Sequence, residues 1–179
     1  MEKKEDRRIT MTKKMLKEAL IELLKEKDIY HVSVRELCEK ADVNRTTFYK
    51  YYGNQFDLLT DMEKDMLDYL SLTVKSNKEE SEKIVSSACS YLEKNIEFAR
   101  LIFNNNVDPD FACKLFSMES IKKQALKRFY DSKNETELEY IYRFLTCGIF
   151  SLIHLWLNKE VRETPEAFAA MVMRMLHRD

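Results

Sequence analysis

Residues 33–52 read SVRELCEKADVNRTTFYKYY, and the fold turns on this stretch. Ser33-Val34-Arg35-Glu36 has the capping-box pattern, in which the Ser33 hydroxyl accepts from the Glu36 amide and Glu36 reaches back. It opens a helix from residue 34 to about 40. Asp42 follows where the chain must turn sharply, and aspartate tolerates the left-handed conformation better than most non-glycine residues. Asn44 caps a second short helix, from 45 to about 51. Val34, Leu37, Cys38, Ala41, Val43 and Phe48 form a small apolar core, with Ala41 small where the two helices come closest. Two short helices joined by a turn of about four residues make a helix-turn-helix.

The second of these helices turns unusual chemistry outward. It carries Arg45, Thr46, Thr47, Tyr49, Lys50 and Tyr51, with only Phe48 clearly inward. A merely solvated face would carry Glu and Lys instead of this mixture. Donors for phosphate, hydroxyls for base edges and methyls for thymine are what a major groove requires. The amides behind Asn44 add a place for a phosphate.

Outward from this stretch the chain reads as helices alone. With Gly 2 and Pro 2 in 179 residues, it lacks the turn residues of a sheet-rich fold or a glycine-rich phosphate loop. Upstream, Met15, Leu16, Ala19, Leu20, Leu23 and Leu24 form one apolar stripe, predicting a helix from residue 10 or 12 to about 27. Downstream, Gly53 is expected to end the outward-facing helix. A long helix follows over 55–75, its apolar face formed by Phe56, Leu59, Met62, Met66, Leu67 and Leu70. Further helices are expected at 82–94, 96–104, 110–131, 135–158 and 165–177, the last opened by Thr164-Pro165. The fold class is all-α, with about nine helices: an N-terminal three-helix helix-turn-helix domain over 1–54 and a helical-bundle domain over 55–179.

Over about residues 10–59 the chain resembles the DNA-binding region of the TetR family of bacterial transcriptional regulators. Val34, Leu37, Ala41, Val43, Phe48, Tyr49, Tyr51, Tyr52, Leu58 and Leu59 fall on the family pattern. Asp42 stands in place of the usual turn glycine, Cys38 in place of a small alanine, and Gln55 in place of a lysine used against phosphate. The resemblance implies a dimer on double-stranded DNA, with Thr46, Thr47 and Tyr49 reading bases. It implies phosphate contacts from Ser33, Arg35, Arg45, Lys50, Tyr51 and Gln55, beside the Asn44 cap. Repression is the usual outcome in that family. Lys3-Lys4 and Arg7-Arg8 could extend the contact as a flexible arm.

The body is expected to hold the regulatory and dimerisation functions. Residues 135–158 are apolar on several sides, and Gly148 in their midst suits close helix approach. By the resemblance, the last two helices of each subunit form a four-helix dimer interface, here through Leu145, Ile149, Leu152, Trp156, Phe168, Met171 and Met175. The end of the chain also resembles a TetR branch that includes an activator of dihydroxyacetone kinase operons. A pocket for a small apolar or aromatic effector would be lined by Phe98, Phe103, Phe116, Phe129 and Tyr142, with Phe111, Met118 and Phe144 as further candidates. The alternative is a body that binds a protein partner.

Other features narrow the class. Residues 1–52 carry 13 Lys and Arg against 10 Asp and Glu, and the remainder 17 against 21. A basic end on an acidic body suits a protein that turns one end toward a polyanion. The four cysteines form no C-x-x-C pair and the three histidines have no metal-ligand spacing, so neither a metal nor a cofactor is expected. No nucleophile sits beside a base in a known motif, which disfavours an enzyme. No signal peptide or run of about 20 apolar residues is apparent, so a cytoplasmic protein without membrane contact is expected.

Overall fold

The structure, a computed structural model, describes residues 2–77, 80–104, 107–126 and 134–176, with side chains from residue 7 onward. Among the described residues it is built from ten α-helices and one 3-10 turn, without strands. Two compact units emerge, Met1–Met66 and Leu67–Asp179.

The first unit contains α1 (Glu2–Leu24), a 3-10 turn (Ile29–His31), α2 (Val34–Lys40), α3 (Arg45–Phe48) and the start of α4 (Gln55–Ser76). Its core joins Leu16, Leu20, Leu37, Phe48 and Leu58, all fully buried. The expected apolar stripe of α1 is therefore the buried one. The helix itself begins earlier than the stripe does, at Glu2. Glu, Lys and Arg are good helix formers and extend it beyond the core. Arg7 and Arg8 thus belong to a helix and not to a flexible arm, while the side chains of Lys3 and Lys4 lie outside the described residues.

The second unit contains the end of α4, α5 (Ser81–Lys94), α6 (Ile96–Phe103), α7 (Phe111–Phe116), α8 (Glu119–Leu126), α9 (Glu135–Asn158) and α10 (Pro165–Leu176). The continuous helix expected over 110–131 is instead broken at Ser117-Met118, and residues 127–131 lie outside the described set. At this break the Tyr142 hydroxyl of α9 donates to the Phe116 carbonyl, and the Ser117 and Met118 amides donate to the Cys113 and Leu115 carbonyls. Helix α10 packs chiefly on α5, while α6 and α8 pack on α9. Trp156 stacks on Phe168 with ring centroids 5.3 Å apart and donates its indole N–H to the Glu163 carbonyl at 2.9 Å.

Helix α9 corrects one expectation. By length and composition it is apolar enough to cross a membrane. It is nonetheless a wall of the second unit, with Thr146, Trp156 and Leu157 buried. Its opposite face is unburied and exposes large apolar side chains, with Tyr140 73%, Phe144 78% and Leu155 59% exposed beside Arg143, Ser151 and His154.

Candidate nucleic-acid interface and regulatory cavity

The helix-turn-helix is built by local capping. The Ser33 Oγ accepts from the Glu36 amide at 3.2 Å, and Glu36 Oε2 accepts from the Ser33 amide at 3.1 Å. Glu36 is further held by Lys27 at 2.6 Å. The hydrogen bond from Lys27, followed by those from Ser33, lowers its carboxyl from the usual 4.5 to about 2. After α2, Asp42 adopts φ 52°, the left-handed turn that a short aspartate side chain tolerates. The Asn44 side chain then accepts from the Thr46 amide at 2.8 Å, starting α3.

Helix α3 is a single turn, Arg45–Phe48, shorter than the sequence implies. Beyond it, Tyr51 and Tyr52 both donate backbone hydrogen bonds to the Phe48 carbonyl, so the chain closes in turns. Phe48 is the anchor, fully buried, with Tyr49 and Tyr52 packed at 5.5 and 5.7 Å from its ring. Arg45, Thr46, Tyr49 and Lys50 are exposed around it, and Thr47 and Tyr51 are half-buried. Among the described residues, neither Arg45 nor Lys50 has a carboxylate within ion-pair distance. The amides of Thr46 and Thr47 are already taken by the Asn44 side chain and carbonyl, so the helix end offers less to a phosphate than expected.

The flanking residues are differently engaged. Arg35 pairs with Glu39 at 2.8 Å on an exposed face. Ser33 is exposed and committed to its cap, and Gln55 is half-buried at the start of α4. Gly53 does not end α3: the cap there is Tyr49, and no glycine has positive φ. Gly53 is small because Asp57 Oδ2 accepts its amide at 2.8 Å, and a Cβ would stand 2.8 Å from the same oxygen. Phe56, expected inside, is 38% exposed and meets the 80% exposed Tyr30 with ring centroids 5.3 Å apart. Periodicity places Phe56 on the apolar face of α4, but it stands at the helix start, where its ring meets Tyr30 of the preceding turn instead of the core.

In the second unit a cavity of about 220 Å³, partly open to solvent, is lined by α4, α5, α7, α8, α9 and α10 with Phe103 of α6. Of the residues expected to line a pocket, Phe103 and Phe116 are in its wall, and Phe98 and Tyr142 are not. Phe98 is buried elsewhere, and the Tyr142 hydroxyl is committed to Phe116. Phe111 is core, Phe144 is 78% exposed, and Phe129 lies outside the described residues. Cys89, fully buried, forms part of the wall, and burial pushes its thiol up to about 12.

The proposed interface residues separate into three groups. Leu145 and Ile149 line the cavity. Trp156 and Phe168 are 1% and 3% exposed and stack on each other, so they are intramolecular core and not interface. Leu152 and Met171 are half-buried, and Met175 is 55% exposed. Periodicity could not separate the buried from the exposed side of a helix that is apolar on both.

These features have counterparts in known proteins. Residues 16–62 match the family described as bacterial regulatory proteins, tetR family, and residues 79–178 match a transcriptional regulator C-terminal region. An uncharacterized HTH-type transcriptional regulator, YxbF of Bacillus subtilis (strain 168), is 25% identical over 171 residues. The match covers 90% of this chain but 43% of YxbF, so the chain spans less than half the length of that relative. Among solved structures, a TetR transcriptional regulator from Streptococcus agalactiae 2603V superposes with a TM-score of 0.70 at 22% identity, covering 99% of this chain and 100% of that one. The dihydroxyacetone kinase operon activator DhaS gives 0.62 at 19% identity, covering 92% and 93%. With both halves of the sequence matched and the whole fold shared, the chain belongs to the TetR family of bacterial transcriptional regulators.

Proposed function

We propose that the protein is a cytoplasmic, dimeric, sequence-specific DNA-binding regulator without catalytic activity, whose 1–54 segment reads duplex DNA and whose 55–179 segment dimerises and binds an effector. The supporting observation is the exposed quartet Arg45, Thr46, Tyr49 and Lys50, carried by α3 and the turn after it and fastened by the buried Phe48. Its two cations have no internal partner among the described residues and are free to neutralise phosphates, while the threonine and tyrosine meet base edges. Thr47, Tyr51 and Gln55 flank the quartet, and Ser33, Arg35 and Asn44 orient the elements around it.

Dimerisation is supported by the exposed Tyr140, Phe144 and Leu155, which share the unburied face of α9 with the small Gly148 and Ser151 at spacings of three and four residues. Exposed large apolar side chains of this kind mark interaction surfaces, and a second copy of the same helix would cover them about a twofold axis. Control by a small apolar effector is supported by the cavity beneath that helix. Helix α4 begins in the first unit and ends as part of the cavity wall, so it links the two covalently. An effector that favours one arrangement of the dimer would change DNA affinity by its differential binding to the two states. The competing reading is a protein partner on the α9 face. Repression is the direction the family resemblance favours.

Selection of bound fragments from a random duplex pool tests the reading. It should enrich a site with two half-sites about 34–36 Å apart. No enrichment, with no duplex binding at low ionic strength, overturns the proposal. A mass of two chains in solution supports the α9 face as self-complementary, while a monomer favours the protein-partner reading.

A further inference from the structure

The cavity of the second unit has a lining that restricts its ligand far more than its size does. Among the described residues, none of those that line it is Asp, Glu, Lys, Arg or His. A charge brought inside would lose its hydration and find no counter-charge, a cost that binding sites for charged ligands avoid by pairing. Most of the wall is aliphatic or aromatic, including Leu70, Ile84, Phe103, Phe116 and Ile153.

The polar groups are not evenly distributed. Thr146 and Thr73 point their hydroxyl hydrogens back into their own helices, to the carbonyls of Tyr142 and Tyr69 at 2.8 and 2.9 Å. Gln124 of α8 and Ser81 of α5 are different. The Gln124 Nε2 donates to Ser81 Oγ at 3.2 Å, bridging two helices at one side of the cavity. Among the described residues, nothing donates to Gln124 Oε1, and the Ser81 hydroxyl proton has no assigned acceptor. This pair therefore offers one acceptor and one donor side by side in a lining whose other hydroxyls, on Thr73 and Thr146, turn their protons into their own helices.

We infer that the cavity takes an uncharged amphiphile with a single hydroxyl, carbonyl or amide group, its polar end on Gln124 and Ser81 and its hydrocarbon body against the apolar wall. This inference rests on the reading of the unit as an effector domain and specifies the effector's chemical class. An engineered cavity of about 150 Å³ accommodates benzene, so about 220 Å³ suits a body of about nine non-hydrogen atoms. Cys89, protonated because burial holds its thiol high, contributes to the wall as a small apolar group.

The test uses the full chain and two matched sets of probes: 2-phenylethanol with phenylacetate, 2-phenylethylammonium and ethylbenzene, and 1-octanol with octanoate and octylammonium. At least one alcohol should raise the melting temperature in a concentration-dependent manner and bind about tenfold or more tightly than its charged counterparts. Gln124→Leu, nearly the same size, should retain ethylbenzene binding and abolish any preference for 2-phenylethanol over it. Ala125→Phe should fill the cavity and weaken every probe. Binding of neither alcohol, a charged counterpart within tenfold, or an unchanged preference in Gln124→Leu overturns the inference. Duplex binding by the protein without probes is measured alongside. If it persists while the probes fail, only the ligand class is wrong; if it is absent, the regulatory reading fails independently.

Discussion

The Tyr52 hydroxyl donates to Asp61 Oδ2 at 2.8 Å, and Lys17 Nζ reaches the same oxygen at 2.9 Å. The residue just beyond the outward-facing turn is thereby fastened to α4 and α1 together. Burial pushes the Asp61 carboxyl up, but the hydrogen bonds from Lys17 and Tyr52 outweigh it and leave it below the usual range. Burial, then the bond to Asp61, pushes the Tyr52 phenol up. Tyr52→Phe retains the ring against Phe48 and deletes only the hydroxyl. The expected loss is about 1 kcal/mol, or about 2–4 °C in melting temperature. Denaturant unfolding measures it, and an unchanged midpoint would remove the bond from any role in seating the turn.

Acid should test the capping box. The Glu36 carboxyl is depressed from the usual 4.5 to about 2 by Lys27 and Ser33. A depressed folded value means that its stabilisation is complete above about 4.5 and disappears as pH falls toward 2. Wild type should therefore lose stability more steeply than Glu36→Gln across that window, and the two should converge near its acid end. Asp61 is depressed too, but it is common to both proteins and cancels in the comparison. Parallel curves would mean that the Glu36 interactions form only in one frozen arrangement.

Lys50 and Tyr49 should fail differently on DNA. Lys50 is an exposed cation without an internal partner among the described residues, so Lys50→Ala should weaken binding to all duplexes and reduce the salt slope by about one unit. Tyr49 is 58% exposed with its ring edge on Phe48. Tyr49→Ala should cost about 1–3 kcal/mol on the selected site and little on random sequence. Fluorescence anisotropy over a salt series separates the two. Equal losses from Tyr49→Ala on both duplexes would assign it to the backbone and not to the bases.

What was legible in the sequence was whatever short-range chemistry controls. The Ser33–Glu36 box, the left-handed Asp42, the Asn44 cap and the Pro165 helix start all depend on neighbours within a few residues, and all stand as read. What was not legible depends on distant partners. At the 117–118 break the Phe116 carbonyl accepts from Tyr142, a contact across 26 positions. Trp156 appeared to be an interface residue because nothing nearby announces Phe168 or the Glu163 carbonyl as its partners. Gly53 read as a helix-ending glycine, but α3 ends at Tyr49, and the constraint at Gly53 is the Asp57 carboxylate and not a backbone angle. The cavity was legible as apolar, whereas Gln124 and Ser81 meet only through folding.

Gly148 separates the stability of one chain from that of the dimer. It lies in the middle of α9, and an added Cβ would meet no atom within 4 Å. In a single chain, Gly148→Ala should therefore stabilise the helix by about 1 kcal/mol, since Ala is the better helix former and no clash opposes it. Across a close α9–α9 contact the same methyl would hold two helices apart. The substitution should then raise resistance to unfolding at concentrations where the protein is monomeric and weaken association at the same time. Phe144→Glu, at a position 78% exposed, should abolish association with little effect on the monomer. It is a cleaner probe than a charge at Ile149, which would also enter the cavity wall. Sedimentation of both variants checks the interface, and a dimer with wild-type affinity in both would move the contact off this face of α9.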